Sequence, residues 1–345
     1  MGSEMMTSSK RVGYAVVGLG HIAEHAVLPA FKPSRKSRLV AVVSGDAAKA
    51  KRLAKRFGAD GHFTYDSFSE CLRNPEVEAV YIATNNSTHL TFTLQSAAAG
   101  KHVLCEKPLA ASVEQCQQMV EACRKNNVKL MTAYRKYFEP ATVELKRLID
   151  SGRLGRLKII HTSFTFTLPP SKVWHFEARL SGGGSLVDVG VYCVNTARWL
   201  TGREPVEAAA HSWTLDPVLF REVDESICFQ LVFPEGLCMQ GSSSFAAAPT
   251  SFLRVIGTKG WAALDPAYSY DDVRKMFGVL GGKRFERKFK PVEEFHLELD
   301  HLAHCIRANR NPAPDGVTGL RDVAVMQAIY EAAKANHPVP IHLSL

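Results

Sequence analysis

The chain has 345 residues, 46% of them hydrophobic and 22% charged, and a formal net charge of +8. Such a length buries a large core and suits two domains, and the composition is that of a globular protein rather than a disordered or fibrous one. Lysines and arginines are spread through the chain without an arginine-rich block or an aromatic platform, so no nucleic-acid partner is expected, and an anionic cofactor accounts for the basic excess.

No apolar run approaches the length that crosses a bilayer, and Met1 to Lys10 lack the apolar core of a secretory leader. No membrane partner is expected, and the cytoplasm is the expected location. Residues 1–10 are set apart as an arm. The eight cysteines form neither a Cys-x-x-Cys pair nor a zinc spacing, so reduced, mostly buried thiols and no metal are expected.

Tyr14-Ala15-Val16-Val17 reads as a buried strand running into Gly18-Leu19-Gly20-His21-Ile22-Ala23, after which a helical pattern continues to Phe31. This is Gly-x-Gly-x-x-Ala between strand and helix. The glycines permit a tight turn and close approach to a pyrophosphate, while the helix N-terminus offers N–H groups and a positive dipole end. Gly18, Gly20, His21 and Ile22 are therefore expected to bind a dinucleotide. A second strand, residues 39–43, ends at Ser44-Gly45-Asp46. The residue closing this strand is typically acidic where NAD is preferred, because it bonds the ribose 2′-hydroxyl. Ser44 stands there instead, with Lys49, Lys51 and Arg52 following, a set that suits a 2′-phosphate and hence NADP. Asp46 leaves NAD open, and most of the basic run equally suits a solvated helix face.

A helix over 68–74 and a strand over 79–83 lead to the polar loop Thr84-Asn85-Asn86-Ser87-Thr88-His89, which suits a crevice lining, although Thr88 is equally a natural N-cap. The apolar run 103–105 then delivers Glu106-Lys107-Pro108 to a strand end. Ligands of open α/β sheets sit beyond the carboxyl ends of the strands, so Lys107 is expected to point into the crevice. With a helix over 113–125 and a strand over 128–133, the alternation implies a doubly wound parallel sheet, a Rossmann domain over residues 11–134.

After Tyr134-Arg135-Lys136-Tyr137 the texture changes. A helix over 141–150 leads to 159–168, where Phe164, Phe166 and Leu168 alternate with threonines, period two with one face buried. Strand-like segments at 206–214, 227–233, 237–243, 252–256 and 261–264 follow without intervening helices. Residues 135–345 are thus expected to form an α+β domain on a mostly antiparallel sheet, closed by helices near 294–308 and 320–335. Within it, Gly182-Gly183-Gly184 lead into a helix near Ser185, on which Asp188, Tyr192 and Asn195 fall at i, i+4 and i+7 and share a face. On a helix otherwise apolar, that stripe is either a wet side or one wall of a site, and a nicotinamide pocket opposite favours the wall.

Hydride departure from a carbinol carbon requires that the hydroxyl proton leave too, so a general acid/base must stand beside the nicotinamide. A tyrosine serves if a nearby cation favours its phenolate, and Lys107 is positioned to be that cation for Tyr192. Asp188 then bonds a substrate hydroxyl or orients the pair.

From Val12 to about Pro340 the chain resembles the Gfo/Idh/MocA oxidoreductases, and among them most the glucose-fructose oxidoreductase branch. The resemblance rests on Gly18-Leu19-Gly20, Val43-Ser44-Gly45-Asp46-Ala47, Gly100-Lys101-His102-Val103, Glu106-Lys107-Pro108, Gly182-Gly183-Gly184-Ser185-Leu186, Asp188-x-Gly190-x-Tyr192 and Gln327-Ala328-Ile329-Tyr330-Glu331-Ala332-Ala333. It implies a Rossmann domain packed on an open, mostly antiparallel sheet through which a homodimer or homotetramer forms. A sugar or polyol is the implied substrate, with Lys107, Asp188 and Tyr192 catalytic and Tyr192 as acid/base; Asn195, by its place on the same helical face, is expected beside them at the substrate. Ser44 and Lys49 match the positions that hold a 2′-phosphate, Asn86, His89, Glu106 and Arg135 match crevice positions, and a cis Lys107–Pro108 bond is implied. A Trp-Arg pair that holds the cofactor in relatives is replaced by Trp174-His175, and Asn85 stands where proline is found. With no counterpart to the export and arm segment of the periplasmic relative, the resemblance does not extend to permanent cofactor retention or sugar-to-sugar hydride shuttling.

Overall fold

A computed structural model describes residues 10–270 and 272–343, so the expected arm lies outside the described residues except for Lys10. The first sheet contains β1 (Val12–Val17), β2 (Ser37–Ser44), β3 (Gly61–Thr64), β4 (Ala79–Ile82), β5 (His102–Cys105) and β6 (Leu130–Thr132), in the order β3-β2-β1-β4-β5-β6. Every neighbouring pair is parallel. β1 and β4 are buried at all positions, as a parallel sheet covered on both faces demands, which is why these strands read as unbroken apolar runs. The chain winds outward from β1 to β3 and then crosses to β4, so a crevice opens past Val17, Ile82 and Cys105 where the winding reverses. β3 was not expected from the sequence: it is a short edge strand, half exposed, without an apolar run.

The helices between these strands carry their own stop and start signals. Asp46 accepts the Lys49 N–H to cap Ala47–Phe57, which ends at Gly58 with φ +70°, and Ser112 accepts the Gln115 N–H to cap Val113–Lys125.

The second sheet comprises β7 (Leu157–Thr165), β8 (Glu207–Trp213), β9 (Ser226–Phe233), β10 (Leu237–Ser244), β11 (Thr250–Gly257), β12 (Gly260–Asp265), β13 (Arg274–Leu280), β14 (Lys283–Phe289) and β15 (Val339–Pro340). Their order is β14-β13-β12-β11-β7-β10-β9-β8-β15, antiparallel throughout except between β7 and β10. The hairpin β13–β14 escapes a reading by hydrophobic pattern because Lys283-Arg284-Phe285-Glu286-Arg287-Lys288 is mostly charge. At a sheet edge those side chains stay in water and discourage further pairing.

One buried cluster joins Val80, Ile82 and Val103 of the first sheet to Ile227 and Leu231 of the second and to Val191 and Val194 on the helix Val191–Thr201. Residues of the long helix Gly316–Ala335, among them Leu320, Val323 and Ile329, belong to the same cluster. The two domains therefore share a packed interior, and the crevice between them is held by rigid elements on both sides. Among the described residues no helix is long and apolar enough to cross a membrane, and no cluster of side chains could hold a metal ion.

Candidate active site

A cavity of about 870 Å³ runs from the turn after β1 to the start of the second sheet. At one end lie Gly18, Leu19, Gly20, His21 and Ile22. Gly18 has φ +87°, and a Cβ there would stand 2.6 Å from the backbone of Ala83 and Thr84, so only glycine makes this turn. A Cβ on Gly20 would meet nothing within 4 Å; the backbone simply faces open space. The first N–H groups of the helix that follows have no intrahelical acceptors. A close-approach turn, orphan donors and a long cavity together fit the pyrophosphate and nicotinamide halves of a dinucleotide.

At the other end, β5 ends at Glu106-Lys107, and the Lys107–Pro108 bond is cis. Lys107 Nζ donates to Asp188 Oδ1 at 2.8 Å and to the Asp188 carbonyl at 2.7 Å. Burial by itself would lower the Lys107 ammonium, but Asp188, Tyr192, Tyr270 and Glu106 outweigh it and hold it well above the usual lysine range. Burial would likewise raise the Asp188 carboxyl, and Lys107, with His175, overcomes that and leaves it below the usual range. The pair is thus fixed as ammonium and carboxylate. Glu106 differs: burial dominates and raises its carboxyl, which accepts the Tyr81 hydroxyl at 2.7 Å.

Asp188 sits in a π-helical stretch, Leu186–Gly190, and Tyr192 in the α-helix Val191–Thr201 that continues it. Asp224 pins the start of this unit: it accepts the N–H groups of Gly184 (2.8 Å) and Leu186 (2.9 Å) and the hydroxyls of Ser185 (2.9 Å) and Tyr330 (2.5 Å). A Cβ on Gly184 would lie 2.0 Å from the Asp224 carbonyl oxygen, which accounts for the glycine there.

Lys107 Nζ lies 5.1 Å from the Tyr192 ring centroid, and Arg135 Nε donates to the Tyr192 hydroxyl at 3.3 Å. Negative charge that develops on this oxygen as a proton leaves is therefore met by two cations. Arg135 is itself buried and committed elsewhere. It donates to Glu294 Oε2 at 2.6 Å and to the Tyr268 carbonyl.

Gly18, Gly20, His21, Ile22, Asn86, Glu106, Lys107, Arg135, Trp174, Asp188 and Tyr192 all line the cavity, as the sequence reading placed them. Four expected residues do not. Asn195 is buried with its amide on Asp322 Oδ2 at 2.8 Å, because the wide turn resets the helix phase and the helix Gly316–Ala335 captures the side chain. His89 is wholly buried and faces the carbonyls of Pro108 (3.1 Å), Leu109 (3.2 Å) and Thr84 (3.3 Å), bracing two crevice loops against each other rather than meeting a ligand. Ser44 Oγ is turned onto the Asp46 N–H at 3.2 Å, and Lys49 Nζ leans toward Glu24 at 3.8 Å, so neither reaches the cavity wall. Asp46 is occupied as the cap of the next helix. Tyr270, Asp224 and Glu294 were missed; each acts on a partner distant in the chain, and no local pattern marks them.

A parallel sheet with a glycine turn, joined to a large mixed sheet through a lysine, aspartate and tyrosine site, defines a two-domain dinucleotide-binding oxidoreductase. The chain belongs to the GFO/IDH/MocA family: residues 12–134 match the model described as an oxidoreductase family with an NAD-binding Rossmann fold, and residues 142–263 match the GFO/IDH/MocA C-terminal domain. It is similar to the solved structure of aldose-aldose oxidoreductase from Caulobacter crescentus, with 39% identity, a TM-score of 0.93 and coverage of 96% of this chain and 100% of that one. It is 30% identical over 341 residues to a D-xylose 1-dehydrogenase [NADP(+)] of Haloarcula marismortui, covering 97% of this chain and 95% of the relative. A trans-1,2-dihydrobenzene-1,2-diol dehydrogenase of Mus musculus is 27% identical, with coverage of 93% and 95%.

Proposed function

We propose that the chain is an NADP(H)-dependent oxidoreductase that transfers a hydride between nicotinamide and a sugar or related polyol, oxidising an aldose at its anomeric carbon or running the reverse reduction. The observation that carries this reading is the convergence of the Lys107–Asp188 pair and the Arg135-backed Tyr192 hydroxyl on the cavity that begins at the glycine turn. A bound nicotinamide dinucleotide supplies the hydride acceptor or donor, and the remaining tasks fall to the chain. Gly18 to Ile22 cradle the pyrophosphate, while Asn86, Glu106 and Trp174 wall the nicotinamide half. Lys107 and Asp188 hold the substrate hydroxyl, and Tyr192 takes its proton during oxidation and returns it during reduction. NADP is favoured by Ser44 in place of a carboxylate and by the cofactor in the name of the xylose dehydrogenase. Lys49 reaches a 2′-phosphate only on leaving Glu24.

The dihydrodiol relative favours a second substrate reading, a ring diol in place of a sugar, served by the same three residues. The name of the aldose-aldose enzyme raises a further one, hydride passage between two sugars on a retained cofactor. The open face of the second sheet, with Ile159, Trp213 and Phe252 exposed beside the groove at His161, His211 and Gln240, supports pairing of two copies there. The eight unpaired thiols suit the cytoplasm.

The test is cofactor reduction on mixing the protein with NADP⁺ or NAD⁺ and a panel of aldoses and cyclic diols, with Tyr192→Phe as control. NADP⁺ reduction that the variant abolishes is expected. Equal rates in wild type and variant refute the role of Tyr192. Cofactor that co-purifies and turns over on two sugars without release would favour the shuttle, and light scattering reads the assembly.

A further inference from the structure

Tyr270 enters the cavity from the segment between β12 and β13. Its ring stacks on Phe295, with centroids 5.9 Å apart and planes at 17°. The guanidinium carbon of Arg135 lies 4.1 Å from the Tyr270 centroid and 5.1 Å from that of Tyr192, so one buried cation is held between two phenol rings. Tyr270 is 42% exposed and lines the cavity together with Lys107, Tyr192 and Glu106. A tyrosine hydroxyl holds its proton at neutral pH, so it is a donor as well as an acceptor. Among the described residues its hydroxyl has no hydrogen-bond partner, whereas Lys107 is paired with Asp188, Arg135 with Glu294, and Glu106 with Tyr81.

On the reading given above, Tyr192 and Lys107 claim the hydroxyl of the reacting carbon. A phenol beside them both donates and accepts, and its natural partner is a second hydroxyl one carbon away. We propose that Tyr270 binds the hydroxyl on the carbon adjacent to the reacting one, so that the site selects vicinal diols: a cyclic aldose bearing its 2-hydroxyl, or a ring 1,2-diol. The inference rests on the sugar or diol reading of the site. It assigns Tyr270 a substrate-binding role, distinct from the proton transfer of Tyr192. A site that bonds a substrate hydroxyl discriminates strongly against the analogue lacking it, because its own polar group is then left unpaired.

The experiment measures kcat and KM for an aldose and its 2-deoxy counterpart, D-glucose with 2-deoxy-D-glucose or D-ribose with 2-deoxy-D-ribose, in wild type and Tyr270→Phe. The intrinsic reactivities of the two sugars cancel when the ratio of kcat/KM values is compared between the proteins. In wild type the 2-hydroxy sugar is expected to be preferred by about 100-fold, and in Tyr270→Phe the preference should fall by tenfold or more through a raised KM. The kcat/KM on the 2-deoxy sugar should change less than that on the 2-hydroxy sugar. Phenylalanine keeps the stack on Phe295 and the contact with Arg135, and NADPH fluorescence on binding verifies that the variant is folded. Tyr270→His, which retains a ring donor, should recover part of the preference. An equal ratio in wild type and Tyr270→Phe overturns the assignment while leaving the sugar reading intact. Failure of wild type to oxidise any aldose or cyclic diol overturns that reading and the assignment with it.

Discussion

Behind the candidate site lies a group of five ionic side chains, and Glu294→Gln is the perturbation that probes it. Glu294 accepts Arg135 Nη1 at 2.6 Å and Arg274 Nη2 at 2.5 Å, with Lys136 Nζ 4.0 Å away. Glu139 balances the far side, 3.3 Å from Lys136 and 3.7 Å from Arg274. All five are at most 3% exposed. Removing one partner of a buried ion pair typically costs about 3–5 kcal/mol, since an uncompensated charge is left in the interior. Here the cost is limited by Lys136, whose ammonium is brought down to about 8 by burial, only partly offset by Glu294 and Glu139. Once Glu294 is neutral, less offsets the burial of Lys136 and its proton leaves at a lower pH than in wild type, and roughly 3 kcal/mol is expected to be lost at pH 7.

The pH dependence follows from the same lysine. In wild type the folded and unfolded states both hold the Lys136 proton at pH 7, and stability rises only above about 8, where the unfolded chain binds more protons. In the variant that rise begins lower, so the gap between the two proteins should narrow by roughly 1 kcal/mol from pH 7 to pH 9. Urea unfolding at both pH values, read by tryptophan fluorescence, measures the gap, and adding Lys136→Met to Glu294→Gln should recover part of it at pH 7. A loss below about 1 kcal/mol at pH 7, or an identical loss at both pH values, would refute this account of the cluster.

Asp188→Asn should lower kcat/KM by at least about 100-fold, since Lys107 loses its anchor. Because the Asp188 carboxyl is held below its usual range, wild type should lose stability relative to this variant as the pH falls below about 4, and parallel acid-unfolding curves would contradict the pairing. Gly184→Ala forces a Cβ onto the Asp224 carbonyl and should cost about 2–3 kcal/mol while displacing the helix that carries Asp188 and Tyr192. Thermal unfolding and kcat on one sample check both effects, and a fully active, equally stable variant counts against the Asp224 clamp. Ser44→Asp should shift the ratio of kcat/KM for NADP⁺ over NAD⁺ toward NAD⁺ by at least about tenfold, through repulsion of the 2′-phosphate, and an unchanged ratio would remove Ser44 from cofactor choice.

The turn at Gly18 to Ile22, the strand end at Glu106-Lys107 and the juxtaposition of Asp188 with Tyr192 were legible in the sequence. Each is a local device, set by a strand delivering a turn or by spacing along one helix, and local devices leave local patterns. The shared face broke down at Asn195, where a π-helical stretch changed the phase and Asp322, 127 residues away, took the amide. His89 stands in a loop with the composition of a ligand-binding one, yet three carbonyls packed around it make it a brace. β13 and β14 owe their strand state to a neighbouring strand and a sheet edge, not to an apolar alternation of their own. The sequence by itself thus determined the dinucleotide turn, the parallel sheet and the placing of Lys107, Asp188 and Tyr192 at one cavity, because these depend on backbone conformation and short spacings. The tertiary structure alone decided what supports them. Arg135 meets Glu294 across 159 residues and Tyr270 reaches the cavity from a distant connection, and such pairings arise only when burial makes unpartnered charge and polar groups costly enough to select them.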